Sequence, residues 1–432
     1  VKHVLVALLI LTAFVSGAFW LLSDDRLHPN IQAFITLTHP SGDSRAFTYL
    51  LGLQAPQGQH PEIAGETLLT QVRKYENTVT LTSTDTSTHE IYTGDTLSLP
   101  EQSRHCSFSE THCLRELFET PSPTQSPSPE EQVLLERWHQ FIQLDDYQVL
   151  TQPGLSEYVP PYLYLTAANR ISMVNSIRQA NAGDSLLARQ QLLANIAALR
   201  YLLAAEGHLI GKMVAAKMMS DQIDVLNALQ QRFELPPAPP ILPLTVPEKS
   251  LRLPLARELT MITNLYQEMD SEPELFDPDL PIPPWLARLL FKPAISTNAM
   301  LPIYEYVITG SEIDPVDFIS HVQPHNMPVI KTNWIRNPVG TILNRVALPD
   351  LHVYAIDMQD LDVKIGLFNA FNQSPSHSTQ SVLNTFTNPY YPDGSPMKAS
   401  IESHRICVPG PAKRNELRCL HGFFNDTSGS PN

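Results

Sequence analysis

Apolar positions recur at helical spacing through one long stretch, Tyr162 to Phe233, around which the rest of the chain is organised. Leu163, Ala167, Ile171, Val174 and Ile177 share one helical face, Leu192, Ile196, Leu199 and Leu203 a second, and Leu209, Met213, Ala216, Ser220, Ile223 and Leu226 a third. This predicts three consecutive helices broken at Gly183 and Gly207. Asp184 stands as N-cap of the second, because a carboxylate there can accept a free N–H of the first turn. Upstream, Arg45–Leu53 reads as a short helix ending near Gly52. Ser128-Pro129-Glu130-Glu131 opens another, with Ser as N-cap, Pro in the first position and Glu131 closing a capping box. That helix carries Val133, Leu134, Trp138, Phe141 and Ile142. Downstream the helical period returns over Leu251–Met269, Trp285–Phe291, Asn298–Ile308, Asp317–His321 and Asp350–Phe371.

Between these runs the texture changes. Val72–Leu99 is rich in Thr and Ser with local alternation, and reads as a small β-hairpin or an ordered loop. Glu119–Pro129 and Leu235–Pro247 hold too many prolines for a regular ladder and read as stiff linkers. From Asn388 a turn and a short strand pair follow, with Asp393-Gly394 as the hairpin dipeptide. The fold expected is mainly α: a multi-helix array with a helical-hairpin centre, small β-hairpin additions and an N-terminal transmembrane helix. The divisions expected are an anchor over 1–23, a mixed α/β region over 24–120, a central helical domain over 128–234, a second helical region over 248–387, and a turn/β tail over 388–432.

Val4–Leu22 contains no charged residue and lies between Lys2 and Asp24-Asp25, matching the length of a bilayer span. Lys2 on the near side favours a single pass through the inner membrane, with the bulk of the chain periplasmic. Ser16-Gly17-Ala18 offers a small-residue cleavage site, but the apolar run continues through Phe19, Trp20, Leu21 and Leu22, which suits an uncut anchor better than a cleaved signal peptide. Cysteine usage agrees. Two local pairs, Cys106 with Cys113 and Cys407 with Cys419, fit short-loop disulfides in an oxidising compartment. A Cys2His2 zinc site using His105 and His112 is the alternative for the first pair, disfavoured because adjacent His-Cys ligands rarely aim at one tetrahedral centre.

Composition narrows the partners. A net charge of -15 with 29 Lys and Arg in 432 residues argues against nucleic acid, which needs clustered cations. The 38 prolines imply many extended or sharply stopped segments.

The order of AFTYLLGL, CSFSETHC, ANAGDSLLARQQLLANIAALRYLLAAEGHLIGKMVAAK, KPAISTN, NPVG, DLDVKIGLF and NPYYPDGSPM resembles that of a family of uncharacterised membrane-anchored proteins of Gram-negative bacteria. The likeness spans nearly the whole chain and implies a single N-terminal span; it carries over no assigned activity, cofactor or catalytic residue. ANAGDSLLARQQL also resembles the turn of a tetratricopeptide-type helical pair, and the closing Pro-Asp-Gly turn is similar to that of secretion pseudopilins.

Motifs for chemistry are absent: there is no HExxH, GxSxG, P-loop or GxGxxG. His321 and His325 have ligand spacing, but Pro324 breaks the helix between them, so a surface loop is expected. Asp357, Asp360 and Asp362 beside Lys364 lack the EF-hand order and read as a solvated face. The remaining candidate is a polar cluster of Glu206, His208, Lys212, Lys217 and Asp221, with Asp224, in otherwise apolar surroundings. An i,i+4 ion pair or a structural network between helices accounts for it without chemistry. Two functions are therefore expected: an envelope scaffold that binds another protein, or an envelope enzyme or small-molecule or lipid binder with its site in a helical cleft. No cofactor and no metal are expected.

Overall fold

An exposed apolar helix, α1 (Lys2–Leu22), begins the structure; its His3–Leu22 window has a mean hydropathy of 2.5, and none of it is buried. The computed structural model describes residues 2–76, 94–100, 113–119, 127–272, 275–276, 282–373, 379, 382, 386–393, 400–402, 404–413 and 416–424. After α1 come α2 (Pro29–Leu37), α3 (Arg45–Leu51), α4 (Pro61–Glu76), α5 (Cys113–Glu119) and α6 (Pro129–Phe141), then α7 (Tyr162–Asn181), α8 (Ser185–Ala205) and α9 (Leu209–Arg232). The second half holds α10 (Val246–Lys249), α11 (Arg252–Ser271), α12 (Pro284–Leu289), α13 (Pro293–Glu312), α14 (Pro315–His321), α15 (Pro338–Ala347) and α16 (His352–Gln373). A small antiparallel sheet of β1 (Ser400–Glu402), β2 (Arg405–Cys407) and β3 (Cys419–His421) follows, ordered β1-β2-β3. The protein is mainly helical, as the periodicity predicts.

The capping box is present in full at α6: Ser128 Oγ accepts from Glu131 N at 3.2 Å, and Glu131 accepts from Ser128 N at 2.9 Å. Ser128→Ala is expected to lower stability by about 1 kcal/mol, measured by urea unfolding; an unchanged midpoint would mean that the cap contributes nothing. At α8 the outcome differs, since Asp184 sits at the N-cap but its side chain accepts no backbone hydrogen bond there. Gly183 provides the break, with φ +108, a conformation that disfavours a side chain.

The centre of the fold is α9, which is buried on nearly every side by α7, α8, α16 and β3. Its expected apolar face is buried, and so are Gln222, Asp224, Asn227 and Gln230, because neighbours cover the opposite face too. Leu163, expected on the inner face of α7, is exposed. The proline-rich stretch after α9 lies along α16: Asn369 and Asn372 of α16 accept from Ile241 N and Ala238 N, at 2.9 and 2.8 Å. Prolines keep this stretch extended, and α16 supplies the partners that a sheet would otherwise give.

Two further expectations change. Val72–Glu76 is the last turn of α4, not strand; the rest of the hairpin expected over Val72–Leu99 lies outside the described residues, apart from residues 94–100, which form no strand. Asp357, Asp360 and Lys364 are buried rather than solvated, because α16 packs on α9, α13 and the C-terminal segment. Helix α4, which buries Ala64, Leu68, Leu69 and Val72 on one face, also meets α3 backbone to backbone. A Cβ on Gly52 would lie 1.9 Å from Pro61 O, and one on Gly65 1.7 Å from Thr48 O.

Cys407 and Cys419 form a disulfide across the β2–β3 register. Replacing both with Ser is expected to cost about 2–3 kcal/mol, read from the thermal midpoint; a loss under about 0.5 kcal/mol would show that the sheet holds without it. Cys113 is disulfide-bonded as well, while Cys106 lies outside the described residues.

Candidate functional site

The turn Glu206-Gly207-His208 between α8 and α9 carries a buried charged centre. Glu206 Oε1 accepts from His208 N at 2.8 Å and faces His208 Nδ1 at 3.2 Å. Its Oε2 accepts from Tyr147 Oη at 2.6 Å and Tyr162 Oη at 3.0 Å. On the other side of the imidazole, His208 Nε2 lies 2.8 Å from Glu157 Oε1. Glu157 Oε1 also accepts from Thr151 Oγ1 at 2.5 Å and from the Arg257 guanidinium of α11, which reaches Thr151 O at 3.0 Å. The packing requires glycine nearby: a Cβ on Gly211 would meet Tyr162 Oη at 2.3 Å and Glu206 Oε2 at 2.6 Å.

Two carboxylates thus face one imidazole and one guanidinium. Burial pushes the imidazole of His208 toward neutrality, but hydrogen bonds and charge from Glu157 and Glu206 outweigh it and raise its pKa to about 9. Burial likewise opposes ionisation of Glu157 and Glu206, and the hydrogen bonds to His208 reverse that, so both lie below the usual carboxylate range. The phenols of Tyr147 and Tyr162 are pushed well up, by burial first and then by the Glu206 charge. At neutral pH the centre is an imidazolium between two carboxylates, closed by Arg257.

Above Glu157 opens a cleft of about 650 Å³ between the end of α4, the 152–157 segment and α11. Glu76, Gln152, Ser156, Asn264 and Glu268 line it together with Glu157, and neither Lys nor Arg is among its lining residues. Burial raises the Glu76 carboxyl to about 7, against a hydrogen bond from Gln152 N at 3.2 Å.

The other candidates from the sequence separate from this centre. Lys212 is buried and its ammonium donates to Leu203 O at the end of α8; burial lowers its pKa to about 7. It serves as a C-terminal cap. Lys217 and Asp221 form an i,i+4 pair at 2.5 Å. Asp224 instead pairs with Lys364 of α16 at 2.6 Å. His321 stacks on Tyr306 with ring centroids 4.0 Å apart, and its Nε2 lies 2.9 Å from Tyr306 O, while His325 is exposed in the following turn. Among the described residues no group of three or more His, Cys, Asp or Glu is placed to hold a metal ion.

The sequence pattern finds Glu206 and His208 but not Glu157, Tyr147, Tyr162 or Arg257, which come from separate segments. No pattern on α11 marks Arg257, which lies two positions from both Leu255 and Leu259 and so on the other side of the helix from them. No family model, curated protein or solved structure matches this chain.

Proposed function

We propose that this chain is a protein-interaction scaffold of the cell envelope. Helix α1 holds it in the inner membrane, the remaining chain lies on the periplasmic side, and the cleft above Glu157 receives a cationic or amide-rich segment of a partner protein. The lining of the cleft carries this reading: Glu76 and Glu268 stand among Gln152, Ser156 and Asn264, with no Lys or Arg among the described lining residues. The centre beneath it supports the same reading, because each charge there is matched by an opposite one, an arrangement that holds a wall in place. The disulfide between Cys407 and Cys419 favours an oxidising compartment.

The test uses the full chain in nanodiscs and a lysine-rich peptide as probe. At pH 8.5, above the Glu76 value of about 7, Glu76→Gln with Glu268→Gln is expected to weaken binding by about tenfold, two partly exposed charges each supplying a fraction of a kcal/mol to about 1 kcal/mol. Equal binding of a glutamate-rich peptide, or an unchanged affinity, counts against the proposal. Placement is tested separately by a C-terminal reporter active only after export; activity in the cytoplasm overturns it.

An envelope enzyme is the second reading, and one observation favours it: Glu76, at about 7, sits in the range suited to general acid–base work. It gains ground if an activity of the full chain is lost in Glu76→Gln with the melting temperature kept, and falls if that activity survives.

A further inference from the structure

The end of α1 is fixed to the body of the protein. Arg336 donates to Trp20 O at 3.1 Å and Ser23 O at 2.9 Å, pairs with Asp25 at 2.9 Å, and lies over the Trp20 ring at 4.9 Å. Asp24 accepts from Ala294 N and Ile295 N, at 2.8 and 3.2 Å, in the first turn of α13. Asn298 then binds the next residues, accepting from His28 N and donating to Arg26 O, both at 2.8 Å. The first turn of α13 therefore sits level with the exit of α1.

At the same level α15 crosses α13. Ser296 Oγ accepts from Asn337 Nδ2 and Ser296 O from Asn344 Nδ2, both at 2.8 Å, so one residue of α13 holds positions at both ends of α15. The crossing is close, since a Cβ on Gly340 would meet Ser296 Oγ at 2.0 Å. Helix α12 joins through Val339 N, which donates to Leu290 O at 3.4 Å. With Gly340, Thr341 and Asn344 turned inward, α15 exposes Ile342 at 52% and Val346 at 82%; Trp334 and Ile335, just before it, are 51% and 72% exposed, and Trp285 of the adjoining α12 is 65% exposed. Charge follows the same division. In a chain of net charge -15, no Asp or Glu occurs between Asp317 and Asp350, while Lys331, Arg336 and Arg345 do. Arg345 lies over the Trp334 ring at 5.4 Å.

We propose that this face, formed by Trp285, Trp334, Ile335, Ile342 and Val346 beside the exit of α1, rests on the surface of a bilayer containing anionic lipid, with its apolar side chains in the headgroup region. The proposal rests on the reading of α1 as a membrane anchor. Three features select lipid over a protein partner: the patch adjoins the end of an apolar helix, it holds two tryptophans, Trp334 having Lys331 and Arg345 nearby in sequence, and its own segments carry no acidic residue, Asp24 and Asp25 at the exit of α1 being engaged by α13 and Arg336. An interfacial helix of this kind gains by burying its outer face among headgroups and acyl chains while Lys and Arg meet phosphate.

The test places a photo-crosslinking residue singly at Phe14, Ile335, Val346 or Leu242 in the full chain. Each version is reconstituted in vesicles of equimolar phosphatidylcholine and phosphatidylglycerol. Leu242 is the control, an exposed apolar side chain beside α10, and α10 packs at the far end of α13 from Asp24. Lipid adducts are expected at Phe14, Ile335 and Val346, with several-fold less at Leu242. Adducts at Phe14 with none at Ile335 and Val346 overturn the proposal and leave the anchor standing. No adduct at Phe14 removes the anchor and the proposal with it, and labelling at Leu242 equal to that at Ile335 overturns the proposal alone. A second variant, Ile335→Asp with Val346→Asp, alters exposed positions only and is expected to cut adduct formation by a probe at Trp285 several-fold; an unchanged yield there also overturns the proposal.

Discussion

Lys364→Ala is expected to lower folding stability by about 3–5 kcal/mol, the cost of leaving a buried charge without its partner. Lys364 is wholly buried, and its ammonium donates to Asp224 Oδ2 at 2.6 Å and to Ser220 Oγ at 2.8 Å. Burial lowers its pKa and Asp224 opposes the shift, so the charge on Lys364 depends on that contact. With the ammonium removed, Asp224 keeps a hydrogen bond from His421 N at 2.9 Å but no adjacent cation of its own; Lys217 is engaged by Asp221. Urea unfolding measures the loss. The double variant Lys364→Met with Asp224→Leu is expected to recover part of it, because apolar groups of similar volume replace ion pairs at little cost, while His421 N stays unpaired. A single-variant loss under about 1 kcal/mol would show that water or another cation reaches Asp224.

His208→Gln is expected to have a comparable effect, and one that depends on pH. The folded-state pKa of His208 is raised from 6.5 to about 9. A raised pKa gives stability that is fully present below the unfolded value, near 6.5, and is lost as pH rises through about 9. The loss across that window is about 3 kcal/mol. Lys212 complicates the raw profile. Its pKa is lowered from 10.5 to about 7, so its own contribution rises with pH over that interval. A His208→Gln, Lys212→Met double variant compared with Lys212→Met alone removes the lysine from the comparison and leaves the imidazole with the carboxylates it holds ionised. At pH 6 the variant is expected to be less stable by about 3–5 kcal/mol, since Glu157 then keeps Arg257 while Glu206 loses the one cation hydrogen-bonded to it, and the gap is expected to shrink above pH 9. Melting curves at stepped pH provide the measurement, and a gap constant with pH would mean that His208 is neutral in the folded protein.

Apolar residues at helical spacing made the central three, α6, α11 and α16 legible, and their positions follow from it. Helices α4 and α15 did not stand out: α4 buries Leu68, Leu69 and Val72 at that spacing but ends where the Thr- and Ser-rich stretch begins, and α15 turns its small and polar face inward, Gly340 on Ser296, and leaves Ile342 and Val346 outside. Asp360 illustrates the limit for charges. Taken alone on α16 it reads as solvated, yet Arg418 Nη1 donates to it at 2.8 Å and Tyr390 Oη at 2.7 Å, from segments far along the chain. Of the buried centre, Glu206 and His208 could be read because they are neighbours, while Glu157 and Arg257 are brought to them only by tertiary folding.

The sheet has a consequence for the packing of α9. Asn227 of α9 donates to His421 O at 2.8 Å, Phe423 N donates to Gln231 Oε1 at 2.7 Å, and Asp224 and Asp360 take His421 N and Arg418 as partners. Helix α9 thus takes buried partners from a segment lying 194 residues further along the chain, from Asn227 to His421. Without that segment Asp224 and Asp360 lose these partners and stay open to water, so a version stopped before Arg418 is expected to leave α9 loosely packed.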